Sequence, residues 1–431
     1  MSERLTYTER LEAGQRQRKH MRRADHAGWN ASARDEEPKT LLKRSDKGRI
    51  PKLVKLKYER MAASAFAYFR GAATVMAYDL SLGPNSGILN QICGDAHVSN
   101  LGAYEGADGR LVFDINDFDE SMVGPFEWDV KRMATSILLA GREAGVKEAR
   151  CREAVEMMLA SYREGIIGLT KMTVLSAERH QVKRLGDLPS IEQVLEIAER
   201  STPLHSLDTL TEETKGGERI FRTKPPTLER LTGLVAQQVR DSLTTYRDSL
   251  LPERRRLLDR YRVLDVAFKV VGTGSVGLRD YVVYLEGNGE DDPLFLQVKE
   301  EVASAYAPYL GGASPAHQGQ RVAEAERAMQ FQSDPFLGWT TLDGRDYLVR
   351  QLNDHKAAID ITTLKSATLP EYAGLCGELL ARGHARAGDC AMIAGYLGNS
   401  ERFDEAILRF AVAYANQSER DWKKLVAELK H

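Results

Sequence analysis

Gly272-Thr273-Gly274-Ser275-Val276-Gly277-Leu278-Arg279-Asp280-Tyr281-Val282-Val283-Tyr284-Leu285 holds the choice between two folds. A G-x-G-x-x-G run that opens a helix is the fingerprint of a dinucleotide-binding βαβ unit, with the helix N-terminus set against a pyrophosphate. Here the glycines are followed by a Val- and Tyr-rich run that ends at Glu286-Gly287-Asn288-Gly289, which reads as a strand and a turn. Residues 263–271 before them read as another strand. Strand, glycine loop, strand is a hairpin whose missing side chains let backbone N–H groups approach phosphates, and Gly272, Gly274, Ser275 and Gly277 are the candidates. From this stretch alone a plain β-hairpin fits equally well.

Working outward, Leu294-Phe295-Leu296-Gln297-Val298-Lys299 is an apolar strand that ends in one lysine. A buried ammonium costs several kcal/mol unless it meets an anion. In enzymes of the protein-kinase type that anion is a nucleotide phosphate, and a glutamate from the next helix holds the lysine. The next helical stretch, residues 321–332, offers Glu324 and Glu326. Glu324 is the expected partner, on the reading that it shares the inward side with Val322, Ala325 and Met329. Strands at 339–341 and 347–352 follow, and Arg350 to Leu352 occupy the place where backbone would pair with a base edge. That placement rests on the order of the elements.

On the N-terminal side stands Cys93-Gly94-Asp95-Ala96-His97-Val98-Ser99-Asn100, then Phe113-Asp114-Ile115-Asn116-Asp117-Phe118-Asp119-Glu120. An Asp and an Asn five residues apart, followed by acids, suit phosphoryl transfer: one Asp orients the nucleophile, while an Asn and a second Asp hold Mg²⁺. Four carboxylates within residues 114–120 repel one another in a half-buried site, and a hard cation explains their clustering. Asp129 can cap the helix that begins near Trp128, and in kinases an Asp at about this distance supports the backbone of the catalytic loop, so both roles can hold together. Arg70 offers a guanidinium to a phosphate or serves as a buried structural residue. His384-Ala385-Arg386 imitates a catalytic loop, but Ala394 stands where an Asn is needed, so His384 reads as a packed histidine.

The chain has 431 residues, enough for two lobes around a cleft, with 42% hydrophobic and 28% charged residues. A net charge of -2 gives no case for nucleic acid or an anionic membrane. The cysteines Cys93, Cys151, Cys376 and Cys390 form no metal-ligand spacing and suit reduced thiols in a cytoplasmic protein. No apolar run approaches the roughly 20 residues that span a bilayer. The expected organisation is a polar arm at 1–45, with a basic run at 16–23, and a helical lobe with the catalytic loop and metal site at 46–200. A connection with a small hairpin near Gly216 and a helix at about 228–262 occupies 201–262. A β lobe at 263–356 and a helical C-terminal part at 357–431 complete it.

Tyr58-Glu59-Arg60-Met61, Phe69-Arg70-Gly71-Ala72-Ala73, residues 93–100, 116–120 and 124–129, and later 272–277, 296–300, 349–352 and 395–398 resemble a large bacterial family known as a domain of unknown function. The group Asp95, Asn100 and Asp117 also resembles the catalytic loop and metal site of aminoglycoside and choline phosphotransferases in the protein-kinase-like superfamily. That resemblance implies a two-lobed α+β fold, with a mostly helical large lobe and a small antiparallel-sheet lobe. It implies Asp95 as catalytic base and Asn100 and Asp117 as Mg²⁺ ligands, with Asp119 or Asp114 as substitutes for Asp117. Lys299 and Glu324 would be the lysine–glutamate pair. Because the catalytic loop precedes the glycine hairpin, the order would be circularly permuted. The expected activity is ATP- and Mg²⁺-dependent phosphoryl transfer to a small-molecule or protein hydroxyl, with the acceptor unknown. AMP transfer to a protein, or a nucleotide-binding regulator without turnover, are the alternatives.

Overall fold

The computed structural model describes residues 5–182, 189–270, 272, 274–311, 315–352 and 357–430. It is an α+β protein with a large helical region and smaller antiparallel sheets. The chain enters through the helices Tyr7–Gln17, Pro51–Ala62, Ala65–Gly71 and Ala73–Ser81. Thr6 and Glu9 close a reciprocal capping box on the first of them. Two arginines of the basic run are tied down: Arg18 donates to the Tyr396 and Gly395 carbonyls, and Arg23 to that of Leu397. These carbonyls end the helix Cys390–Leu397, where partial negative charge favours a guanidinium.

Strands β1 (Leu89–Ile92) and β4 (Met122–Pro125) pair antiparallel, and β2 (Leu101–Glu105) pairs with β3 (Leu111–Ile115). The loop at 93–100 therefore leaves β1, and the acidic loop at 116–121 leaves β3. The helix Phe126–Glu143 follows β4 directly and is buried over most of its length. The helices Glu148–Thr170 and Thr368–Ala387 pack on one another in this core. Gly377 makes their approach possible, because a Cβ there would lie 2.1 Å from the Met158 carbonyl oxygen.

A short hairpin, β5 (Thr211–Glu213) and β6 (Arg219–Phe221), stands where turn residues predict one. Next come β7 (Leu228–Arg230), β8 (Arg262–Lys269), β9 (Asp280–Glu286), β10 (Pro293–Glu301), β11 (Gly338–Leu342) and β12 (Arg345–Gln351). They form one antiparallel sheet in the order β11-β12-β10-β9-β8-β7. A helix over 228–262 is not found as such: residues 228–230 join the sheet, and Gly233–Ser249 and Pro252–Leu258 are separate helices. Pro252 imposes that division, since it can open a helix but not continue one. The two-residue strand β13 (Ala357–Ala358) adds to β2.

Alternation along β10 assigns its two faces. Leu296 and Val298 pack with Val239 and Tyr246 of the helix Gly233–Ser249. Phe295, Gln297, Lys299 and Glu301 lie on the opposite face, toward the helical region. Among the described residues no helix is long and apolar enough to cross a membrane.

Candidate functional site

One small cavity, about 90 Å³, lies between the loops that leave β1 and β3 and the loop between β8 and β9. Asp95, Asn100, Asp117, Asp119 and Glu120 line one side, and Gly272, Gly274 and Ser275 the other. Segments separated by more than 150 residues thus meet at one place. Arg49, Arg70, His97, Leu278, Glu301 and Val302 complete the lining.

The first loop is fixed from beneath. The Asp129 carboxylate accepts the N–H of Cys93 at 2.8 Å and that of Gly94 at 2.9 Å. His384 stands behind it, with Nε2 at 3.2 Å from Asp129 and Nδ1 at 2.8 Å from the Tyr162 hydroxyl. The N-cap of the helix Phe126–Glu143 is Pro125, so Asp129 supports the loop and does not cap the helix. Gly94 adopts φ +79°, and a Cβ would sit 2.1 Å from the Glu120 carbonyl oxygen. This contact locks the two loops together.

Asp95 bonds through Oδ1 to Nε of the fully buried Arg132, which also donates to the Phe69 carbonyl. That leaves Oδ2 for a ligand. Asn100 donates Nδ2 to the Asp95 carbonyl at 2.8 Å, so its Oδ1 is the end left to accept or coordinate. His97, 3.8 Å from Asp95, is driven down to about 3 by burial, which the Asp95 charge only partly opposes. It is neutral at pH 7.

The four carboxylates of 114–120 do not act together. Asp114 is fully buried in an ion pair with Arg382 and accepts the Phe331 N–H at 3.0 Å, away from the cavity. As a substitute for Asp117 it is therefore out of reach. Glu120 is taken up by the Ala305 N–H at 2.6 Å. Asp117 and Asp119 open onto the cavity and are otherwise enclosed by protein. Burial, then the Asp119 charge, raises the Asp117 carboxyl above the ordinary range. Burial would raise Asp119 too, but Lys299 reverses the shift and holds it low.

Lys299 reaches this cluster from β10. It pairs with Asp119 and lies 3.7 Å from Glu301. Burial disfavours its charge, yet these acids more than compensate and hold its proton firmly. Glu324 is not its partner: it is exposed, bonds to Gln320 at 2.7 Å, and faces a separate groove of about 610 Å³ beside Met122 and Leu310. Helix geometry gives the reason. Val322, Glu326 and Met329 share one face at steps of four and three residues, whereas Glu324 lies two residues from Val322, on the far side. Glu326 is buried but pairs with Arg350 at 3.8 Å.

The residues expected at a base edge also lie elsewhere. Arg350 reaches Gln297 and the Asn116 carbonyl, both at 3.2 Å, and borders a different pocket. The Leu352 N–H donates to the Phe295 carbonyl at 2.8 Å, and its side chain packs beside Phe221 and Leu207. Gly277 flanks the cavity at φ +95°, and its carbonyl takes the Ile50 N–H at 2.7 Å.

Glu301, Arg49, Arg132 and Arg321 were not anticipated. Period-two alternation puts Glu301 on the face of Lys299, a signal that was present. Burial, then Asp119, raises its carboxyl well above the ordinary range. Arg321 donates to the carbonyls of Asp119, Ser121 and Val302 and shapes the acidic loop. No sequence pattern announces these arginine contacts, which join segments tens to hundreds of residues apart.

Among the described residues no group of three His, Cys, Asp or Glu side chains is arranged to hold a metal ion. Mg²⁺ bound to a polyphosphate asks for less, namely one or two carboxylates together with phosphate oxygens and water. Asn100 Oδ1 and the crowded Asp117–Asp119 pair fit that smaller requirement.

No curated protein and no solved structure matches this chain. A family profile matches residues 49–428, a span that contains both loops, Lys299 and the helices beneath them. The chain belongs to DUF2252, the family described as an uncharacterized protein conserved in bacteria.

Proposed function

We propose that this cavity is a phosphoryl-transfer site and that the protein is an ATP- and Mg²⁺-dependent, kinase-like phosphotransferase acting on a hydroxyl of a small molecule or protein. One observation carries the reading: Asp95, Asn100 and Asp117 line the same cavity as Gly272, Gly274 and Ser275. Either loop alone is a common turn. Together they supply an orienting carboxylate, oxygen ligands and backbone at close range, the parts that positioning and charge neutralisation require. In this reading the kinase-like arrangement is circularly permuted, with the catalytic loop ahead of the glycine hairpin.

Asp95 orients the acceptor hydroxyl through Oδ2 and takes its proton as the acceptor O–P bond forms and the bond from the γ-phosphorus to the β-phosphate oxygen breaks, releasing ADP, while Arg132 fixes the carboxylate from the other oxygen. Asn100 and Asp117 are the residues that would hold Mg²⁺, which supplies charge neutralisation on the phosphates. Lys299 rests on Asp119 and is placed to turn to a phosphate when one enters. Neutral His97 packs beside Asp95 and adds no positive charge to compete with that role.

The test is ATP turnover by the wild type and Asp95→Asn over a panel of hydroxylated metabolites and protein acceptors. The substitution should lower kcat by about 10²- to 10⁴-fold. Equal turnover by both would remove Asp95 from the mechanism. Mg²⁺-ATP at ~100 times its dissociation constant should stabilise the fold by roughly 2.7 kcal/mol. If ATP stabilises it neither with nor without metal, the nucleotide reading fails.

A further inference from the structure

We propose that the donor is held by its phosphate chain and not by its base, so that different nucleoside triphosphates, and inorganic tripolyphosphate, enter this site with similar affinity. The inference rests on the phosphoryl-transfer reading and specifies the ligand class. Two independent features carry it.

The first is the face of the sheet above the cavity. Along β10 from the cavity the side chains on that face are Glu301, Lys299, Gln297 and Phe295. A base lying beyond the phosphates needs a flat apolar slot under this face and a strand edge with unspent hydrogen bonds. Gln297 instead donates to Asp280 at 2.6 Å and accepts from Arg350 at 3.2 Å, which closes the space with a polar knot. Phe295 is 2% exposed. It stacks on Tyr284 with centroids 5.1 Å apart and meets Phe221 of β6 edge-on at 6.0 Å. Leu207, Val282 and Leu352 belong to the same cluster. The helix Pro203–Leu210 and the β5–β6 hairpin thus cover the surface a base would use. Among the described residues at the exit of β12, Leu352 has already given its N–H to the Phe295 carbonyl.

The second feature is the charge at the other end. Lys299 is paired with Asp119 before any ligand enters, and among the described residues the cations in the cavity lining itself are Arg49 and Arg70. Arg70 makes no ion pair among the described residues, and its Nε is buried without a hydrogen-bond partner. Its guanidinium lies 5.9 Å over the Phe66 ring, which holds it without neutralising it. Arg49 donates to two carbonyls, of Ser45 at 3.0 Å and Val276 at 2.6 Å. Burial lowers its hold on the proton, and Asp46, Glu120 and Glu300 restore that only in part. Two under-neutralised guanidiniums beside a glycine loop match a polyphosphate. The cavity, about 90 Å³, is far below the roughly 300–1,000 Å³ of pockets that enclose drug-sized ligands.

The experiment is calorimetric titration of the full chain, with Mg²⁺ present, using ATP, GTP, CTP, tripolyphosphate and adenosine. The expected result is dissociation constants within about threefold for the four triphosphates and no binding by adenosine at millimolar concentration. Arg70→Ala should weaken all four alike by at least tenfold, with Arg70→Lys recovering part of the loss and a thermal melt confirming that both variants fold. ATP at least tenfold tighter than GTP and tripolyphosphate, or binding of adenosine, would overturn the inference while leaving phosphoryl transfer in place. Equal binding of the triphosphates by wild type and folded Arg70→Ala would overturn the assignment of Arg70. Absence of binding by every triphosphate would overturn the phosphoryl-transfer reading itself.

Discussion

The loop at residues 93–100 and the loop at residues 272–277 face each other across one cavity and are held by opposite means. The first is fixed by buried side chains. Asp129 takes two of its N–H groups, the Ser136 hydroxyl takes that of Val98 at 3.1 Å, and the Tyr372 hydroxyl donates to the Val98 carbonyl at 2.6 Å. The second is held from the N-terminal segment: Arg60 donates to the Gly272 carbonyl, Arg49 to that of Val276, and the Ile50 N–H to that of Gly277. All three contacts take carbonyl oxygens, the half of the peptide that an anion does not use. One wall is therefore pre-organised in the core, and the other is held at the surface through its carbonyl oxygens.

The sharpest way to break this contrast is Asp129→Ala. It strands two buried N–H groups and His384 in the core, and urea unfolding should show a loss of about 3–5 kcal/mol. A loss below about 1 kcal/mol would mean that the first loop is not held as described. Gly94→Ala comes next, because it needs a left-handed backbone and forces a methyl group onto the Glu120 carbonyl. At least about 2 kcal/mol should be lost, with the affinity for Mg²⁺ reduced as the acidic loop is displaced.

A pH titration sharpens the account of the acidic wall. Because Asp117 titrates higher in the fold, the native state binds more protons than the unfolded chain between the ordinary value of 3.8 and about 7. Its contribution therefore lowers stability as pH rises through that window, and Asp117→Asn should flatten the slope. Asp119 is shifted down, so the stability it contributes is present above 3.8 and lost as the pH falls toward 2. In the proposed site Mg²⁺ would need the ionised Asp117, so its affinity should rise across the same window, with proton release measurable by calorimetry in buffers of different ionisation enthalpy. The smallest effect belongs to the surface wall: Arg60→Ala removes one surface contact and should cost under about 1 kcal/mol. A cost above about 2 kcal/mol would erase the difference between the two walls.

Local pattern carried much of this molecule. The Val- and Tyr-rich run after Gly277 marks a strand where a dinucleotide fold needs a helix, and the apolar run before Lys299 marks that lysine as buried. Gly71 ends one helix and Pro252 opens another, and a proline at the first helical position is a signal that a sequence carries. Short strands such as β1 and β4, four residues each, are too brief for any period to declare itself. The 100° step per residue sets Glu326, and not Glu324, on the buried face of Val322 and Met329, which is why the expectation for Glu324 fails.

What the sequence determined by itself were the two loops and the residue types they carry, because turns, glycine conformations and strand alternation depend on neighbours a few positions apart. Tertiary structure alone decided which acids serve the cavity: Asp114 is consumed by Arg382, whereas Asp117 stays available. It also decided that Lys299 rests on Asp119, that Asp129 leans on His384, and that Phe221 and Leu207 cover the sheet where a base would lie. Each of these contacts closes a long loop of chain. It is selected by the packing and charge balance of the whole core, for which no local stretch holds a signal.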